Sequence, residues 1–173
     1  MRTESVKLEL PELKPFDILV VEGLWYMPHH WLIRWRGNDT AVHCMTIADS
    51  SGNGYNPTFV GIKLENVSKY HGRQVTIHRH KGELDYHKLG EWALHTYQTS
   101  KGYDFFRQWL LGFVCGMNLK NLVNDESKWT CAEFPYWLFH SNGYSLTEIE
   151  EQLPMPRLFR YNDHFETIYE GKI

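Results

Sequence analysis

Cysteine is scarce in this chain: Cys44, Cys115 and Cys131 are its complete set across 173 residues. An odd number of thiols with no CxxC pair argues against a disulfide framework and a zinc ribbon, and it leaves at least one thiol free. Long apolar runs are missing too. The longest, Ile18 to Val21 and Leu110 to Cys115, fall far short of the roughly 20 residues that cross a bilayer. The opening MRTESVKLEL lacks the basic-then-apolar layout of a signal peptide, so the expectation is a cytoplasmic protein without a transmembrane segment. No charge of one sign dominates. Eighteen Lys and Arg stand against 21 Asp and Glu, for a net charge of −3, and the basic residues are scattered rather than striped. That pattern argues against nucleic acid as the primary partner. Without an internal repeat or a low-complexity linker, residues 1–173 read as a single domain.

What is present is apolar and aromatic. Hydrophobic residues make up 42% and aromatics 15% of the chain, with seven Trp and ten Tyr, enough apolar area to offset chain entropy. The first half reads as strands at Asp17 to Glu22, Ala41 to Ala48, Thr58 to Leu64 and Gln74 to Arg79, which are β-branched runs bounded by Gly, Asn or Pro. SSGNGYNP, from Ser50, reads as a turn or hairpin connection. The second half carries helical spacing over Tyr86 to Gln98, over Tyr103 to Cys115 and in a segment following Thr130. Asn142 and Gly143 suit a left-handed helix cap, and Ser145 with Glu148 forms a capping-box pattern opening another short helix. The expected class is α+β, an antiparallel sheet packed against helices.

Cys131, in KWTCAEF, follows the polar stretch NDESK and precedes an apolar helical run. That places it at a helix N-terminus, where the helix dipole and backbone N–H groups favour a thiolate. Pro135 cannot donate to the carbonyl four residues earlier, so the helix either begins at Cys131 or kinks there. His43 lies on a strand in which Ala41, His43, Met45 and Ile47 share one face and Val42, Cys44 and Thr46 the other. Either residue alone is ordinary core chemistry. Together, an imidazole within reach of a thiol can take its proton and later return it to a leaving group. Cys44 points away from the His43 face and reads as core, as does Cys115 in an apolar helix. The His29–His30 pair, and His78 with His80 at alternate strand positions, raise a metal site. No carboxylate or thiol completes a ligand spacing, so neither a metal nor another cofactor is expected. WYMPHHWLIRWRG, from residue 25, reads mostly as packing and otherwise as a loop facing substrate or membrane.

In order along the chain, KPFDILVV, the His43 strand in NDTAVHCMTI, VGIKLENVSKYHGRQVTIHR, then TCAEFPYWLFHSNGYSL and QLPMPRLF resemble the circularly permuted papain-like proteins related to NlpC-type cell-wall amidases and peptidases. Phe16 stands where that family opens its Gly-Asp-Ile-Leu strand with glycine. The resemblance spans almost the whole chain, and its most specific element is Cys-Ala-Glu-Phe. It implies a permuted papain-like (NlpC-like) fold, with Cys131 as nucleophile and His43 as base. A third polar residue should orient the imidazole. The strand around Thr58 to Ile62 has no central carboxylate, so that role falls to Asn56, with Asp49 or Thr58 as alternatives. Glu65 reads as part of a solvated helical turn, Asp17 as a residue that fixes a loop, and Glu133 as pointing away from the thiol.

The implied function is a cysteine-dependent hydrolase (amidase, peptidase or thioesterase) working through a thioester intermediate on a peptide, amide or acyl-lipid substrate. A lecithin:retinol-type acyltransferase would use the same Cys and His machinery, and a non-catalytic binding module would keep the fold without the reaction. A cell-wall role would need delivery by lysis or a phage particle.

Overall fold

The computed structural model describes residues 10–24, 30, 34–35, 38–58, 60–102, 127–144, 146 and 154–173. The helix expected over residues 103–115, with Cys115, and the expected capping box of Ser145 and Glu148 lie outside them, as do His29 and most of the aromatic segment from residue 25. The described residues form one six-stranded sheet from β1 (Ile18–Glu22), β2 (Ala41–Ile47), β3 (Asn53–Thr58), β4 (Gly61–Asn66), β5 (Gln74–His80) and β6 (Phe165–Lys172). Its order is β4-β3-β2-β1-β5-β6, and every neighbouring pair is antiparallel. A 3₁₀ turn at Val67–Tyr70 follows β4, and the described helices are α1 (Tyr86–Thr99), α2 (Glu133–His140) and α3 (Arg157–Arg160). The architecture is α+β.

The sequence of β1, Ile-Leu-Val-Val, explains its central place. All four side chains are buried, because both faces of the sheet are covered. Ile18 and Val20 join Cys44, Leu89, Phe134, Leu138, Phe139 and Phe159 on the helical side. Leu19 and Val21 join Met45, Ile47, Val67, Tyr70, Val75 and Ile77 on the other. Burying a side chain of this size is worth roughly 1.5–3 kcal/mol, so the two clusters together fix which residues of β2 face which way. α1 buries Leu89, Ala93 and Thr96 along one stripe, and its start is capped by Asp85, whose carboxylate accepts from the Lys88 N–H at 3.0 Å. α2 ends as expected at Gly143 (φ 85°), where Gly143 N donates to the His140 carbonyl and Tyr144 N to the Phe139 carbonyl at 3.1 and 3.0 Å.

Three local expectations are corrected. Residues 53–57, inside the stretch read as a turn, belong to the strand Asn53–Thr58, which pairs six residues with β4. The strand expected over Thr58–Leu64 is broken by the hairpin between Thr58 and Gly61, whose Gly61 φ of +122° suits only glycine. Ala41 sits in the helical-side cluster with Cys44 and not with Met45, because the register slips between Val21 and Glu22 and resets the alternation. β6 was not foreseen. It is an edge strand whose side chains, apart from Phe165, are at least partly exposed, so it lacks the buried alternation that marks a strand in sequence.

Two features position the site. Phe16 adopts a left-handed backbone (φ 68°) with its ring buried and stacked on Tyr86 at 6.0 Å. Asp17 beside it accepts from the Lys14 N–H at 2.8 Å and pairs with Arg79, which fixes the entry loop to β1. The second feature is a seam. β2 and β3 are ladder-paired only at Thr46–Tyr55 and Ile47–Gly54, and there the chains approach so closely that a Cβ on Gly54 would lie 2.6 Å from the Thr46 carbonyl oxygen. Beyond Thr46 toward His43 the ladder stops.

Candidate active site

Cys131 is set by the start of α2. The Thr130 N–H donates to Glu133 Oε2 and the Glu133 N–H to Thr130 Oγ1, each at 3.1 Å, and Phe134 N donates to the Thr130 carbonyl. This is a reciprocal capping box with Thr130 as the cap, so Cys131 is the first residue of the helical turn. Glu133 therefore turns back to the cap, buried at 4% exposure, and the Thr-x-x-Glu spacing was legible in TCAE. Pro135 removes the N–H that would otherwise reach the Cys131 carbonyl. That carbonyl instead accepts from the Cys44 thiol at 2.7 Å. Cys44 is core, at 0% exposure, but it also holds the backbone of Cys131.

The imidazole of His43 comes from the opposite face of β2, with Tyr70 5.9 Å away. A closed sheet would keep it from a thiol on the helical side. At the seam between β2 and β3 the two come near enough that each shifts the other's ionisation, His43 upward and Cys131 downward. His43 Nε2 lies 2.6 Å from Asn56 Oδ1. The Asn56 amide nitrogen donates to Glu65 Oε2, a carboxylate that can only accept, so the amide oxygen must face His43. The oxygen then requires a proton on Nε2, which leaves Nδ1 as the nitrogen that can take a proton. Glu65 is in turn paired with Lys69 at 2.6 Å. The order Lys69, Glu65, Asn56, His43, Cys131 thus fixes both the tautomer and the tilt of the ring.

The electrostatics agree with an ion pair. The hydrogen bond from Cys44, followed by the neighbouring His43, holds the Cys131 thiol well below its ordinary value despite burial. Burial lowers His43, yet its contacts with Cys131 and Asn56 outweigh that and leave its pKa raised. Burial, with the adjacent Cys131 charge, pushes Cys44 well up, so it stays a protonated donor. Tyr70 is also raised, by burial first and then by the negative charge at Cys131 and Glu65. Its hydroxyl is buried and has no hydrogen-bond partner among the described residues.

Of the expected residues, Cys131, His43 and Asn56 are brought together. Asp49 instead binds Asn53 and Ser51 within its own turn, and Thr58 Oγ1 donates to the Gly61 carbonyl. Glu65 belongs to β4, not to a helical turn, and faces Asn56. It and Tyr70 were missed because strand pairing across β3 and β4, not sequence proximity, carries them to the site.

His78 is bracketed by the hydroxyls of Thr76 and Thr167 at 2.8 and 3.2 Å, and burial with nearby Arg160 lowers its pKa to about 4. His80 stacks on Phe139 at 5.5 Å. Among the described residues no three His, Cys, Asp or Glu side chains are grouped to hold a metal ion, and no helix is long and apolar enough to cross a membrane. A separate cavity of about 630 Å³ opens between α1 and α2, walled by Trp92, Trp129 and Trp137 with Lys101 beside them. Neither Cys131 nor His43 lines it.

No protein-family model and no curated protein matches the sequence. The fold does have solved counterparts: the crystal structure of the metalloprotein yiiX from Escherichia coli O157:H7, a DUF1105 protein, superposes with a TM-score of 0.65 over 94% of this chain and 99% of that one, at 13% identity. At that identity the likeness is one of fold.

Proposed function

We propose that this chain is a cysteine-dependent hydrolase of the permuted papain-like, NlpC-related kind, acting on an amide or thioester carbonyl. The supporting observation is the oriented set of Cys131, His43 and Asn56, in which the Asn56 amide oxygen accepts from the Nε2–H and so leaves Nδ1 for the thiol. His43 takes the proton of Cys131, and the thiolate attacks the carbonyl carbon. In this mechanism the backbone N–H of Cys131 and the Tyr70 hydroxyl, whose ionisation already responds to charge at Cys131, donate to the resulting oxyanion. Collapse of the tetrahedral intermediate expels the leaving group, which takes the His43 proton, and leaves a thioester. Water activated by the same imidazole then releases the acid and regenerates the thiol. An amine or alcohol in place of that water would make the enzyme an acyltransferase.

A second reading, a binding module that kept the fold, is favoured by one observation: Cys131 is only 2% exposed. Iodoacetamide labelling across pH, mapped by mass spectrometry, separates the two. The hydrolase should alkylate first at Cys131, near pH 6 to 7, and lose that selectivity in His43→Ala. Equal, slow labelling of all three thiols would leave the binding module standing.

A further inference from the structure

Among the described residues, the proposed mechanism leaves one cysteine unused. Cys44 lies on β2, 87 residues before Cys131 in the chain, and its sulfur is in contact with Cys131. It donates to the Cys131 carbonyl at 2.7 Å, and the two thiols lie near enough to shift each other's ionisation, Cys44 upward and Cys131 downward. Both residues are core, at 0% and 2% exposure, and neither is in a disulfide. A donor for the carbonyl that Pro135 leaves open could equally be a serine hydroxyl. A thiol in that place adds one capacity that a hydroxyl lacks, bond formation to the neighbouring sulfur.

We propose that Cys44 and Cys131 are a peroxide-responsive pair, in which Cys44 closes an oxidised Cys131 into a reversible disulfide that switches the site off. The chemistry balances with a hydroperoxide as the oxidant. The Cys131 thiolate attacks one peroxide oxygen, forming an S–O bond as the O–O bond breaks. The departing hydroxide, or alkoxide, takes the proton held on His43, and Cys131 becomes a sulfenic acid. The Cys44 sulfur then attacks the Cys131 sulfur. An S–S bond forms, the S–O bond breaks, and water leaves with the Cys44 proton. Two thiols have lost two electrons to one peroxide. Contact with a resolving thiol protects the nucleophile from further, irreversible oxidation.

The product also has a structural consequence. Once Cys44 is bonded to sulfur it no longer donates to the Cys131 carbonyl, and Pro135 offers no N–H in its place. A buried carbonyl is left without that partner, which favours the reduced state and makes the disulfide easy to reopen. The proposal concerns control of the site described above, but the bond itself forms or fails to form whether or not that site hydrolyses anything.

The test treats the full chain with a few equivalents of hydrogen peroxide under native conditions, blocks remaining thiols, and maps disulfides by non-reducing peptide mass spectrometry. A Cys44–Cys131 linked peptide is expected, together with at least tenfold loss of iodoacetamide labelling at Cys131 that dithiothreitol restores. In Cys44→Ser, which keeps a donor for the carbonyl, the same treatment should give Cys131 sulfinic acid and no recovery with dithiothreitol. Cys131 sulfinic acid in the unaltered chain, or linkage of Cys131 to Cys115, would overturn the proposal. So would full dithiothreitol recovery in Cys44→Ser. Should that variant fail to fold, the linkage map of the unaltered chain decides alone. A linked peptide in a protein with no hydrolytic activity would sink the catalytic reading while leaving the pair intact.

Discussion

Removing the acceptor behind His43 tests the arrangement most directly. In Asn56→Ala the Nε2–H loses its 2.6 Å partner in a place where Asn56 itself is buried, so no solvent takes over at full strength. A hydrogen bond from a charged donor is worth about 1.5–3 kcal/mol, which corresponds to a fall of about one to two pKa units in the imidazolium. The thiolate it supports becomes scarcer by the same factor. The rate of iodoacetamide alkylation at Cys131, followed at pH 6.5, should therefore fall about ten- to a hundredfold, with less loss above pH 9, where the thiol ionises unaided. The direction follows from the shifts in the intact site. Cys131 is drawn well below its ordinary value and His43 above its own, so both shifts favour the ion pair, which is lost as pH falls through the first or rises through the second. Hydrolysis should accordingly show a bell with its acid limb set by Cys131 and its alkaline limb by His43. An Asn56→Ala protein that alkylates within twofold of the parent at pH 6.5 would refute the orientation argument.

Other consequences are smaller or separable. Glu65→Ala frees the Asn56 amide to rotate and should cost about 3- to 10-fold in the same alkylation rate, with thermal stability nearly unchanged because its Lys69 pair is largely solvated. Tyr70→Phe should leave alkylation untouched, since that reaction builds no oxyanion, while turnover of an ester or amide substrate falls about 100- to 1,000-fold; equal effects on both would remove Tyr70 from the proposed role. Thr130→Ala dissolves the capping box and should lower urea stability by about 1 kcal/mol. Phe16→Gly relieves the left-handed backbone but empties a buried site, for a net loss of about 2–4 kcal/mol in denaturant titration; a stabilised variant would contradict the packing.

The sheet and helix class, the central β1 and the cap at Gly143 were readable because each rests on a local pattern of apolar spacing or turn chemistry. Cys131, His43 and Asn56 were readable as a set only through the order of motifs, since no spacing in the chain announces that residues 43 and 131 touch. Glu65 was missed for a definite reason: LENVSKY has the look of a helix start, and only pairing of Asn56 with Lys63 and of Gly54 with Glu65 turns that carboxylate toward β3. The strand at Asn53–Thr58 was hidden by its own composition. Gly54 is there because β2 passes so close, and Asn53 and Asn56 serve as hydrogen-bonding side chains, yet all three are residues that usually signal a turn. β6 was invisible because a mostly exposed edge carries no periodic burial.

The interrupted pairing of β2 and β3 has a cost that any attempt to strengthen this molecule will meet. Extending their ladder past Thr46 would add hydrogen bonds and cooperative stability, and would wall off the imidazole from the sulfur it serves. Variants selected only for heat resistance should accumulate changes that zip this opening shut and should lose thiol reactivity as they do so. In the proposed hydrolase, reactivity depends on leaving part of a sheet unfinished.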